Sequence, residues 1–223
     1  MILDIALFAA IIIIPLIAQF YIKATYGKYS EVDNENNISG FEVARKILDA
    51  NGLNNIDIVT TSGTLSDHYD PKRKVVRLSS SVFNDNSVAS LAVAAHECGH
   101  AIQDKEGYSL MRIRSAIVPV VNLGTSLSYF IIVIGCIFQL LNLVYIGIAF
   151  TALGLLFQLV TLPVEIDASK RAGLQVRQLG IAGVEDSVGT KKVLTAAAMT
   201  YLAGVIASAL QVIRLLLIFS RRD

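Results

Sequence analysis

"AIVPVVNLGTSLSYFIIVIGCIFQLL" at residues 116–141 runs directly into "NLVYIGIAFTALGLLFQLVTL" at 142–162, and neither stretch holds a charged residue. A helix rising about 1.5 Å per residue crosses a hydrocarbon core in roughly 20 apolar residues. Each stretch reaches that length, and only a tight break near Gln139 to Asn142 separates them, so the pair reads as a transmembrane hairpin. Two further runs lie towards the ends of the chain. "ILDIALFAAIIIIPLIAQFYI" at 2–22 carries Asp4 alone, and "LTAAAMTYLAGVIASALQVIRLLLIF" at 194–219 carries Arg214 alone. The first run has no basic segment before it and no small-x-small cleavage site before Lys23, so it is expected to be a retained anchor. Gly124, Gly135, Gly147, Gly154, Gly204 and Ala207 are small enough to let neighbouring spans approach closely.

Composition agrees. Apolar residues make up 54% of the 223-residue chain and charged residues 17%, where soluble domains average about a quarter charged. A net charge of +1 supplies no field for nucleic acid. An ion pathway would have little to use, because the one candidate for a mid-span charge is Arg214, near the end of the last run. Cys98 and Cys136 stand apart in apolar surroundings and read as buried residues, not as a disulfide or as metal ligands.

Five segments follow: an anchor at 1–22, a polar domain at 23–115, the hairpin at 116–162, a polar segment at 163–193, and a fourth span with a short tail at 194–223. In the polar domain, Ser39 and Glu42 form a capping box ahead of "FEVARKILDANG", with Gly52 placed to end that helix. "NIDIVTTSG" and "KVVRLSS" alternate as strands joined by "TLSDHYDPKR", and "NDNSVASLAVAAHECGHAIQ" is a second helix capped by Asn86 or Ser87. Lys23, Lys28, Lys105, Arg112, Arg114, Lys170, Arg171, Arg177, Lys191 and Lys192 all flank spans on the side of the polar blocks. The positive-inside rule therefore assigns those blocks to the cytoplasm, with Arg221 and Arg222 standing against the assignment.

The second helix contains His96-Glu97-Cys98-Gly99-His100. Residues four apart are neighbours on a helix, so two imidazoles at this spacing can bind one Zn²⁺. Glu97 points away from that pair, yet it can reach a water on the ion, take its proton and pass it to a leaving amine. Gly99 lets another segment approach. A catalytic zinc has three protein ligands and an open position, and no histidine follows His100. Glu165 is preferred as the third ligand over Asp167, His68 and Glu106. It lies just past the third span, with Pro163 suited to the first turn of a new helix. Glu106 would need the glycine turn of metzincins, and Gln103 stands where that glycine would be. Beside the pentad, His68 or Tyr69 could act as an oxyanion donor, while Asp70-Pro71 reads as a tight turn.

"GTLSDHYDPKRKVVRLSSSVF", "AVAAHECGHAIQD" and "LPVEIDASKRA" resemble the YugP-like neutral zinc metallopeptidases, a prokaryotic membrane family. That family is similar in pattern to HtpX-type and type I CAAX prenyl proteases, which are gluzincins. The resemblance covers nearly the whole chain. It implies His96, His100 and Glu165 as zinc ligands and Glu97 as general base. The chain departs from the HtpX-type pattern at Ser169, which replaces an aspartate that would orient a ligand, a role left to Asp167 or Asp70.

The expected fold is an α-helical membrane protein with about four transmembrane helices plus a small α+β zincin-like metalloprotease domain. The expected function is a membrane-bound zinc endopeptidase, with Glu97 and His68 as catalytic residues and His96, His100 and Glu165 as metal ligands. The alternative is a zinc-binding scaffold or adaptor without proteolysis. Expected partners are the bilayer of a prokaryotic cell membrane and peptide or membrane-protein substrates, with no nucleic acid; a partner membrane protein is left open.

Overall fold

The computed structural model describes residues 2–220; Arg221 and Arg222, which stand against the cytoplasmic assignment, lie outside them. In chain order the elements are α1 (Ile2–Ser30), α2 (Gly40–Ala50), β1 (Asp57–Thr61), β2 (His68–Asp70), β3 (Val75–Ser79), α3 (Ser80–Asn84), α4 (Val88–Lys105), α5 (Ser109–Ile137), α6 (Leu141–Gln178) and α7 (Val184–Phe219). The protein is mostly helical with one three-stranded sheet. Helices α1, α5, α6 and α7 are long and apolar enough to cross a membrane.

The residues pack into two units. One comprises Met1–Gln19, Ser109–Pro163 and Met199–Asp223. Its hairpin turns at Gln139, which takes a φ of 54°, while the Leu140 amide returns to the Gly135 carbonyl at 2.8 Å and closes the end of α5. Two glycines allow the arms to meet: a β-carbon on Gly147 would lie 3.0 Å from the Ser128 carbonyl oxygen, and one on Gly135 would lie 2.9 Å from the Val144 nitrogen. Ile132, Val144, Ile148, Leu215 and Phe219 form a buried apolar cluster in this unit.

The other unit comprises Phe20–Tyr108 and Val164–Ala198. Ser39 and Glu42 close the capping box on α2, and the accepted hydrogen bonds hold the Glu42 carboxyl below its ordinary pKa. The apolar face of α2 buries Val43, Ala44, Ile47 and Leu48. The sheet order is β1-β3-β2, with β1 parallel and β2 antiparallel to the central β3. Ser87 caps α4 by accepting from the Ser90 amide at 3.1 Å.

Several boundaries differ from the sequence reading. Helix α1 continues past Ile22 to Ser30, α5 begins at Ser109, and α7 begins at Val184, because polar turns extend the apolar helices. The segment read as a loop at 64–73 contains β2, a strand of three residues too short to carry a periodic signal. Ser80 opens α3 instead of ending a strand. Pro163 does not start a new helix: α6 runs through it unbroken and forgoes one backbone hydrogen bond.

Candidate metal centre

Two helices build the site. On α4, His96 and His100 are one turn apart, with ring centroids 4.8 Å apart and nearly perpendicular planes. On α6, Glu165 is 2% exposed and directs Oε2 at both rings, 3.2 Å from His96 Nε2 and 3.5 Å from His100 Nε2. The helices can approach this closely because of Gly99. A β-carbon there would sit 2.4 Å from the Ala168 carbonyl oxygen. Ala94, Ala95 and Ala101 on α4, and Ala168 and Ala172 on α6, are fully buried.

The donor set fits a zinc ion. Each ligand atom of the three residues lies within 4.8 Å of the others. Two donors about 2.0–2.1 Å from a tetrahedral ion stand roughly 3.3 Å apart, which is the spacing between the Glu165 oxygen and the two imidazole nitrogens. Two imidazoles and one carboxylate are also a ligand set of catalytic zinc.

Behind each imidazole is a hydrogen-bonding group, and for His100 that group sets the tautomer. His100 Nδ1 is 2.9 Å from Gln103 Oε1, and Gln103 Nε2 donates to the Val164 carbonyl and to Asp167 Oδ2, both at 2.8 Å. With two acceptors around its nitrogen, the Gln103 amide has one orientation, and its oxygen must receive a proton from Nδ1. In the neutral ring Nε2 is then the bare nitrogen, on the side of Glu165. Asp167 is itself held by Arg171 Nε at 2.5 Å. His96 Nδ1 is 3.2 Å from Ser169 Oγ. Without metal, burial opposes charge on His100, but hydrogen bonding to Glu165 and the charges of Glu97 and Glu165 outweigh it and raise its pKa. Metal uptake must displace that proton and so weakens as pH falls.

Glu97 is buried and lies outside the three-residue group. Its Oε2 accepts the Tyr69 backbone N–H at 2.9 Å, so edge strand β2 fixes the carboxylate. The Tyr69 phenol turns away and donates to Asp104 at 2.7 Å; burial and that carboxylate push its pKa far up. His68 is exposed on β2 with Nδ1 2.8 Å from the Ser66 carbonyl. Glu106 is bound by Arg171 at 2.6 Å. Asp70 accepts the amides of Lys72 and Arg73 and shapes the turn after β2, which lowers its pKa.

Gln103, Ser169 and the Tyr69 amide are the supporting groups that the sequence reading did not identify. Gln103 had a signal, since it is three residues after His100 and shares its helix face. The Tyr69 amide had none, because a backbone group leaves no mark in residue type.

Known proteins match most of the chain. A 202-residue alignment is 41% identical to "Putative membrane protease YugP" of Bacillus subtilis (strain 168), and it covers 91% of this chain and 90% of that protein. No solved structure matches the chain. The family described as "Putative neutral zinc metallopeptidase" matches residues 4–220. The family match runs through the metal-ligand cluster and all four apolar helices, and the chain belongs to that family.

Proposed function

We propose that the protein is an integral membrane zinc endopeptidase of the gluzincin type, with His96, His100 and Glu165 holding the ion and Glu97 acting as general base. The observation that carries the reading is the convergence of Glu165 on both histidines of the His-Glu-x-x-His helix. Bound there, zinc would supply Lewis acidity to a water and to the scissile carbonyl. Glu97 takes a proton from the attacking water and returns it to the departing amine. The Tyr69 amide occupies one oxygen of Glu97, which leaves the other for that transfer. Edge strand β2, paired with β3 among the described residues, would align an extended substrate in zincin fashion through backbone groups other than the Tyr69 amide, which Glu97 holds. His68, on the same strand, is assigned as the oxyanion donor.

The substrates are peptides or membrane-protein segments at the bilayer, since Glu165 follows the apolar run ending at Leu162 by three residues. The catalytic side is cytoplasmic by the distribution of lysine and arginine. The test is zinc content and peptide cleavage by the full chain in detergent, wild type against Glu97→Gln. Retained zinc with cleavage reduced at least about a thousandfold is expected. Equal cleavage by both proteins would overturn the general-base assignment. Zinc retained with no cleavage by wild type, and a cellular role unaffected by Glu97→Gln, would favour a scaffold.

A further inference from the structure

A cavity of about 490 Å³ lies between the 166–177 face of α6 and the 187–198 face of α7, within the size range of small-molecule sites, about 300–1,000 Å³. Its walls include Ile166, Leu174, Val176 and Leu194. Lys170, Arg177 and Lys191 line it as well, and none of the three forms a salt bridge among the described residues. No carboxylate belongs to its lining among the described residues. Thr190 contributes to the wall, is 2% exposed, and its buried hydroxyl has no hydrogen-bond partner among the described residues. Gly173 also lines it, and a β-carbon there would meet nothing within 4 Å.

An apolar wall with three cations, no carboxylate in the lining and a spare hydroxyl matches a ligand with an anionic head and a hydrocarbon tail, even with Asp167 drawing on the charge of Lys170 from outside the lining. Both helices that form the cavity are long and apolar enough to cross a membrane, and basic residues beside spans attract anionic headgroups. We infer that this cavity is a binding site for an acidic phospholipid, with the phosphate on Lys170, Arg177 and Lys191 and the glycerol and upper acyl chain against Ile166, Leu174 and Leu194. Ser169 joins the lining and hydrogen-bonds His96, so the lipid sits one side chain from the metal centre. The lipid site stands whether or not the protein cleaves peptides.

The test is native mass spectrometry of the full chain in detergent with phosphatidylglycerol or phosphatidylcholine of identical acyl chains. Wild type should retain phosphatidylglycerol at least tenfold better. Neutralising the cations in Lys170→Gln/Arg177→Gln/Lys191→Gln should bring retention down to the phosphatidylcholine level. Gly173→Phe, which fills open space on a helix that tolerates it, should abolish retention of both lipids while circular dichroism and zinc content stay unchanged. Lys23→Gln/Lys28→Gln, cations beside a different span, should retain the lipid as wild type does. Equal retention of the two lipids, equal loss in the Lys23/Lys28 variant, or no effect of Gly173→Phe would overturn the proposal. So would displacement by inorganic phosphate alone, which marks a bare anion site. Displacement by an equal concentration of an apolar peptide with a free C-terminal carboxylate would do the same, marking a peptide subsite.

Discussion

Gln103 turns a pair of histidines into an oriented pair. It is fully buried, and its nitrogen is committed to Val164 and Asp167, so its oxygen can only accept from His100. Removing such a partner typically costs about 10–100-fold in metal affinity. Gln103→Leu is therefore expected to weaken zinc binding by roughly that factor with the helix content unchanged, measured by competition with a chelating dye. Asp167→Ala should move affinity in the same direction by less, because the Val164 carbonyl still holds the amide. Tyr69 makes the opposite prediction. Its amide serves Glu97 and its phenol serves Asp104, so Tyr69→Phe should keep peptide cleavage while lowering stability by about 1 kcal/mol for the lost hydrogen bond. A large loss of kcat in Tyr69→Phe at unchanged stability would show that the phenol takes part in the chemistry.

At the scale of elements, the site depends on how closely α4 and α6 approach. The obstruction facing a β-carbon at Gly99 is the Ala168 backbone, which cannot rotate away as a side chain could. Gly99→Ala must push the helices apart, and overpacking of this kind costs about 1–3 kcal/mol. Loss of zinc together with a lowered Tm is the expected outcome; unchanged zinc content would mean that the helices have slack. The pentad helix, the Ser39 capping box and the apolar runs were legible in the sequence, since each has a local residue pattern. Glu165 stood out because the pentad lacked a third ligand and few carboxylates were placed to supply one. What the sequence hid was non-local or non-periodic. Strand β2 is three residues long and exists through its pairing with β3. Pro163 read as a helix start, but α6 carries it internally because the packing on either side outweighs one missing hydrogen bond. Ser169 was noted as a departure from pattern, and only the fold brought its hydroxyl to His96.

Across the whole molecule, distant stretches of chain complete one another. Arg214 read as a lone charge in the last apolar run, yet it bonds Asp4 at 2.8 Å and lies 4.9 Å from the centre of the Phe8 ring. In the apolar unit this ties the first span to the last. Asp4→Ala and Arg214→Ala should each lower thermal stability in detergent by roughly 1 kcal/mol, and Asp4→Arg combined with Arg214→Asp should recover most of it. The metal centre follows the same logic, with His96 and Glu165 separated by 69 positions in the sequence and two apolar runs in between. The central claim is that these remote segments share one zinc ion. Its most direct measurement is the zinc content of purified Glu165→Ala and Glu106→Ala beside wild type. One zinc per chain in wild type and Glu106→Ala, and none in Glu165→Ala, is the predicted result; zinc lost from Glu106→Ala and kept by Glu165→Ala would contradict the account.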